Sequence, residues 1–144
     1  KLAREKVPGA AMKTLIAEMS ATVDELASSD QLAKIAVNLE NGINSLSTAA
    51  DWIIANYESA PAAVHAGSVP FLKLTGIVVG GWLMAKSAAI AVKHIAEGTT
   101  DDFYKAKLAT ATYFAAHQLP FASAYAAEIT GGSDSVFALP ENLF

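Results

Sequence analysis

Three histidines and a scatter of carboxylates are the residues of this 144-residue chain with the types needed for chemistry. His65, His94 and His117 stand in no metal-ligand spacing. None belongs to an HExxH pair, which would set two imidazoles on one face of a helix. His94 falls near the end of a long apolar run, where a helix dipole favours a cation. His117 follows Tyr113 and Phe114 and reads as a core or domain-contact histidine rather than a base. His65 lies in a break between helical segments and is expected to be exposed. Glu40, Asp51, Glu58 and Glu128 have the spacing of solvated faces, and no acid–base pair can be read from them. There is no GxSxG, no P-loop and no GxGxxG. Gly131-Gly132-Ser133-Asp134 has a faint likeness to a phosphate-binding turn, but a helix C-cap accounts for its two glycines. The chain has no cysteine, which excludes zinc–thiolate sites, disulfides and thiol nucleophiles. From the residues alone, no catalytic, cofactor-binding or metal-binding position is assigned.

Composition narrows the class further. Hydrophobic residues make up 53% of the chain and charged residues 17%, so much of it must be buried, in its own core or against a partner. The net charge is −4 and no basic run of five exists, which argues against a nucleic-acid binder. No signal or transit peptide pattern is visible. The length suits one domain with a single core. The first residue is Lys1 rather than methionine, as expected of a segment excised from a longer polypeptide or of a chain from which a tag has been removed.

The elements that would position these residues are all helical. The organising stretch is residues 69–97, where Phe71, Leu74, Ile77, Val78, Trp82, Leu83, Met84, Ile90, Val92 and Ile95 leave almost no polar face. Such a helix is either buried among others or in a bilayer. A membrane span needs about 20 uninterrupted apolar residues, and Lys73 and Lys86 interrupt this run. A buried central helix is therefore expected, with Gly76, Gly80 and Gly81 marking close backbone approach. Before it, residues 10–27 carry an apolar stripe of Met12, Leu15, Ile16, Met19, Val23 and Leu26. Residues 31–58 carry a seam at three- and four-residue steps, Leu32, Ala36, Leu39, Ile43, Leu46, Ala50, Ile53 and Tyr57. Ser28-Ser29-Asp30 is the turn between them, with N-cap chemistry. Pro61 suits the first turn of a short helix over residues 62–66, and Gly67, Ser68 and Pro70 mark a break or kink before the central helix. Gly98 ends the central helix. A threonine cap and two dipole-matched aspartates, Asp101 and Asp102, start the next one. Tyr104, Leu108, Ala111, Ala115, Leu119, Ala122 and Tyr125 form its buried stripe, and Pro120 kinks or divides it. Trp52 and Trp82 read as core or interface residues. The tail, with Val136, Phe137, Leu139, Leu143 and Phe144, is too apolar to stay solvated and should pack on the bundle or a neighbouring domain. The fold class is all-α: an antiparallel bundle of four to five helices around a buried central helix, with residues 1–9 as a linker and 10–144 as one domain.

Four runs carry a resemblance: residues 67–76 (GSVPFLKLTG), 80–86 (GGWLMAK), 102–111 (DFYKAKLATA) and 129–139 (ITGGSDSVFAL). They resemble the extra C-terminal helical domain of a bacterial acyl-CoA dehydrogenase subfamily, which includes enzymes acting on 3-methylmercaptopropionyl-CoA and on fatty acyl-CoA. The likeness extends from Met12 to Phe144. The family often has arginine where Lys73, Lys86 and Thr112 stand here. The resemblance implies a cytoplasmic parent flavoenzyme that uses FAD to oxidise an acyl-CoA to the trans-2-enoyl-CoA. Its catalytic glutamate and its flavin motifs belong to core dehydrogenase domains N-terminal to this segment, so no catalytic, FAD or CoA residue is carried over. The implied partners are those core domains of the same chain and further copies in a homo-oligomer, with acyl-CoA as the parent's substrate and no nucleic acid or membrane span. The segment alone is expected to be inactive. The alternative is a free-standing helical module that binds an apolar ligand or a protein partner.

Overall fold

The computed structural model describes residues 2–143, with the side chain of Glu141 outside the description. Six α-helices follow one another: α1 (Ala10–Ala27), α2 (Ala33–Asn56), α3 (Pro61–Ala66), α4 (Ser68–Ala96), α5 (Asp102–His117) and α6 (Phe121–Thr130). No strand occurs among the described residues. Neighbours run antiparallel. The start of α1 lies on the end of α2, where Gly9 abuts Ile54. The start of α5 lies on the end of α4 through His94 and Tyr104, and its end reaches back to Gly80 through Phe114.

The boundaries follow local chemistry. Gly9 takes φ 76° ahead of α1, a left-handed conformation that suits glycine. Gly98 closes α4 at φ 86°, with its N–H donating to the Ile95 carbonyl at 3.0 Å. The Asp101 carboxylate accepts from the Phe103 N–H at 2.9 Å, so an aspartate caps α5 rather than a threonine. Pro61 occupies the first turn of α3 as expected. At the α1–α2 turn the side-chain N-cap expected there does not form. The amides of Leu32 and Ala33 both donate to the Ser29 carbonyl, and the Ser28 hydroxyl donates back to Glu25. Gly67 alone separates α3 from α4, and Pro70 sits within the first turn of α4, where its missing N–H costs nothing. Pro120 divides α5 from α6.

The core lies along α2 and the inner faces of its neighbours. The α2 seam is buried throughout except at half-buried Tyr57, with Leu39 and Leu46 fully enclosed. From α1 come Met19, Val23 and Leu26; from α4, Leu74, Val78, Ala85 and Ala88; from α5 and α6, Ala111, Ala115, Ala122 and Ile129. Leu119, at the α5–α6 corner, is the knob that ties three elements together. A Cβ placed on Gly42 of α2 would lie 3.2 Å from its Cδ2, and one on Gly81 of α4 would lie 2.6 Å from it. Both glycines are therefore holes for one leucine.

The three glycines of α4 thus differ from the expectation of shared backbone approach. Gly81 meets the tightest neighbour, and that neighbour is a side chain. Gly80 faces the outer end of the Phe114 ring at 3.3 Å, and Gly76 faces nothing within 4 Å. The helix itself packs on α1, α2, α3, α5 and α6, which is the central position expected. Its apolar surface, however, is covered along one stripe only.

Candidate interaction surfaces

The side chains with chemical potential do not converge. His65 is exposed on α3 and lines a cleft of about 460 Å³ with Leu2, Tyr57, Val64 and Phe71. His94 is half-buried at the end of α4, with its ring 4.4 Å from that of Tyr104 and its Nδ1 3.4 Å from the Glu97 carboxylate. That geometry matches a histidine placed for the helix C-terminus. His117 is exposed, with its ring 4.7 Å from Tyr113. It is not a core residue, because the α5 face that reaches the core is carried by Ala111 and Ala115. Together with Ile95, Leu108, Thr112 and Tyr113 it lines an open groove. Glu40, Asp51, Glu58 and Glu128 are all exposed on helix surfaces, as solvated faces should be. Among the described residues, no buried side-chain nitrogen or oxygen lacks a hydrogen-bond partner, so no orphaned donor or acceptor marks a hidden polar site.

The two tryptophans are half-buried. Trp82 has a role that its sequence context does not announce. Its indole N–H donates to the Thr22 hydroxyl at 2.7 Å, and that hydroxyl donates onward to the Glu18 carbonyl at 3.3 Å. Thr22 is the one buried polar residue in the described core, and the bond fastens α4 to α1. The Lys86 ammonium lies over the other side of the indole, 4.8 Å from the ring.

What the molecule presents most plainly is uncovered apolar surface. Large hydrophobic side chains more than half exposed occur singly, as at Val7, Val37 and Phe121, and on three further stretches. The first is the outer face of α4, with Val69, Leu72, Leu83 and Ile90, of which Leu72 is 72% exposed. The second is the flank of α5, with Phe103 and Tyr113. The third is the tail, where Val136, Phe137, Leu139 and Leu143 are 54–64% exposed. The tail thus does not fold back over its own bundle. Phe144, the last of the apolar tail residues, lies outside the described positions. Single exposed apolar residues are ordinary, but contiguous groups mark contacts with something else. The stripe on α4 escapes a reading from sequence because an all-round apolar helix looks the same whether its second face meets its own chain or another. The same helix is long and apolar enough to cross a membrane by length and composition, yet its inner stripe is packed into a bundle of amphipathic helices.

Comparison with known proteins places these surfaces in context. The family model described as acetyl-CoA dehydrogenase C-terminal like matches residues 15–140. The 3-methylmercaptopropionyl-CoA dehydrogenase of Ruegeria pomeroyi is 38% identical over 122 residues, which cover 83% of this chain and 21% of that relative. The broad-specificity linear acyl-CoA dehydrogenase FadE5 of Mycobacterium tuberculosis is 36% identical over 84 residues, covering 56% of this chain and 14% of that protein. The chain therefore spans a minor part of the length of either relative. Through a match that runs over nearly its whole helical bundle, the chain belongs to the acetyl-CoA dehydrogenase C-terminal-like family.

Proposed function

We propose that this chain is the C-terminal structural and interaction domain of an FAD-dependent acyl-CoA dehydrogenase that works in the cytoplasm as a homo-oligomer and oxidises acyl-CoA to the trans-2-enoyl-CoA. The observation that carries this reading is the pairing of a family match across the bundle with apolar surfaces left uncovered on α4, α5 and the tail. A domain that folds around its own core and still exposes contiguous apolar faces is built to lie against other protein.

FAD supplies the two-electron oxidation in such a parent. The groove between α2 and the start of α6 does not fit that group. A dinucleotide needs its pyrophosphate held by free helix-terminal amides or by cations. The groove of about 380 Å³ between α2 and the start of α6 is lined by Asn38, Asn41, Ser45, Pro120 and Ser123, with no cation. Its helix-terminal amides are already engaged, since Phe121 donates to Gln118 and Ala122 to Leu119, and Pro120 has none. The flavin and the catalytic base are assigned to the part of the parent outside these residues, and the role of this chain is to pack and position.

Two preparations test the proposal: the full reading frame that encodes this chain, and the 144 residues alone. The full polypeptide should be yellow and should reduce an electron-accepting dye when given acyl-CoA. The isolated chain should be colourless and inactive. Flavin and acyl-CoA-dependent turnover in the isolated chain would overturn the packing role, and a full polypeptide without flavin would overturn the parent.

A further inference from the structure

The outer face of α4 has a pattern of its own. Val69, Leu72, Gly76, half-buried Val79, Leu83 and Ile90 recur at steps of three, four and seven residues and so fall on one stripe. That stripe lies opposite buried Leu74, Val78, Gly81 and Ala85. It is bounded by the contact with α1 at Trp82 on one side and by α5 at Gly80 and His94 on the other. Leu83 is 51% and Ile90 58% exposed.

Gly76 adds an independent pointer. It sits in mid-helix on this exposed stripe, where glycine weakens a helix relative to alanine. Nothing among the described residues requires it: a Cβ there would meet no atom within 4 Å beyond its own helix backbone, and that backbone is ordinary helix. Gly81, by contrast, is explained by Leu119. A glycine that is costly and unneeded inside the molecule is accounted for by close approach from outside it.

Charge says what approaches. The chain is acidic overall, but α4 has no Asp or Glu from Ser68 to Ala96, only Lys73, Lys86, Lys93 and His94. Among the described residues none of the three lysines is within 4.0 Å of a carboxylate. If α4 packed on α4 of a second copy, the rims would set lysine against lysine with no acid between them, which disfavours that pairing. The match to the Ruegeria relative leaves most of that protein's length outside these residues.

Resting on the reading above, we propose that the outer stripe of α4 is the seat of the dehydrogenase body of the same polypeptide. The occupant is an apolar surface that comes close at Gly76 and carries carboxylates opposite Lys86 and Lys93. Docking covers Leu72, Leu83 and Ile90 and pairs the two lysines.

The test is zero-length carbodiimide cross-linking of the full polypeptide, prepared as a mixture of 14N- and 15N-labelled chains, with mass-spectrometric identification. Lys86 or Lys93 should link to a carboxylate outside residues 1–144. Gly76→Leu and the double variant Leu83→Gln/Ile90→Gln should each abolish that link, while the isolated 144-residue chain carrying them melts no lower than the unaltered chain. Links that join these lysines only to residues 1–144 of a differently labelled chain would overturn the proposal in favour of a second copy. Protection of the same lysines only on addition of anionic lipid vesicles would overturn it in favour of a membrane surface. Absence of any link, with all three lysines freely acetylated, would overturn it outright. If the full polypeptide binds no flavin, the dehydrogenase parent fails, whereas the link pattern still decides whether α4 is a seat within the chain.

Discussion

Helices α2 and α4 are the two long rods of this bundle, and they solve the problem of facing water in opposite ways. On α2 the buried seam is backed by Glu40, Asn41, Asn44 and Asp51, all exposed, so the helix is complete within the chain. On α4 the buried stripe of Leu74, Val78, Ala85 and Ala88 is backed by Leu72, Leu83 and Ile90, more than half exposed. Both inner faces are buried in the same core, so the difference lies outside the domain's own packing. It lies in what each helix leaves over. Apolar surface left uncovered along a whole stripe marks a contact surface, and α4 has such a stripe where α2 exposes only Val37 and Ala55.

The comparison can be broken most forcefully by cutting matched side chains. Leu46→Ala on the inner face of α2 should destabilise the isolated chain by about 2–5 kcal/mol, since it opens a cavity at a fully buried site. Leu83→Ala on the outer face of α4 should stay within about 0.5 kcal/mol, because an exposed position loses little burial. Urea unfolding of both variants checks the contrast, and comparable losses would mean that the outer face is buried in solution. The next largest effect separates the glycines. Gly81→Leu should cost about 1–3 kcal/mol or more, since its new atoms run into Leu119. Gly80→Leu should cost less than Gly81→Leu, because only the outer end of the half-buried Phe114 ring must move and a roughly 1 kcal/mol gain in helix propensity offsets it. Thermal melts of the pair that came out in the reverse order would remove Leu119 as the knob.

Sequence alone shows the first half of this contrast well and the second half poorly. The seam of α2 is legible because polar residues mark most of the positions that face water, Val37 and Ala55 excepted, and burial follows the seam closely. Pro61, Gly98 and Pro120 are legible because each imposes a backbone constraint that tertiary contacts do not relax. The outer stripe of α4 is not legible, since leucine and isoleucine have one identity whether their cover is Leu119 or an absent surface. Gly42 is not legible for a similar reason: its use depends on a leucine 77 residues later in the chain, at position 119. His117 was placed by its aromatic neighbours Tyr113 and Phe114, but those two lie on different faces, Tyr113 exposed and Phe114 half-buried. The candidate site was thus legible as a family likeness in four runs of residues, while its geometry was not.

Two smaller effects sharpen the boundary between the faces. Thr22→Val removes the partner of the Trp82 N–H at the edge where α4 meets α1, and should cost about 1 kcal/mol. Denaturant midpoints would show it, and an unchanged midpoint would mean that water replaces the hydroxyl without loss. Gly76→Ala should raise the stability of the isolated chain, by up to about 1 kcal/mol, because its Cβ meets open space in mid-helix. A fall in melting temperature would place a neighbour against Gly76 within the domain itself.

The central claim is that α4 has one face for its own bundle and one for the rest of a longer polypeptide. Carbene footprinting tests it most directly, by labelling side chains according to exposure in the isolated chain and in the full polypeptide. Leu72, Leu83 and Ile90 should label strongly in the isolated chain and be protected in the full polypeptide, while Leu74 and Val78 stay unlabelled in both. Equal labelling of Leu72, Leu83 and Ile90 in the two preparations would contradict the account.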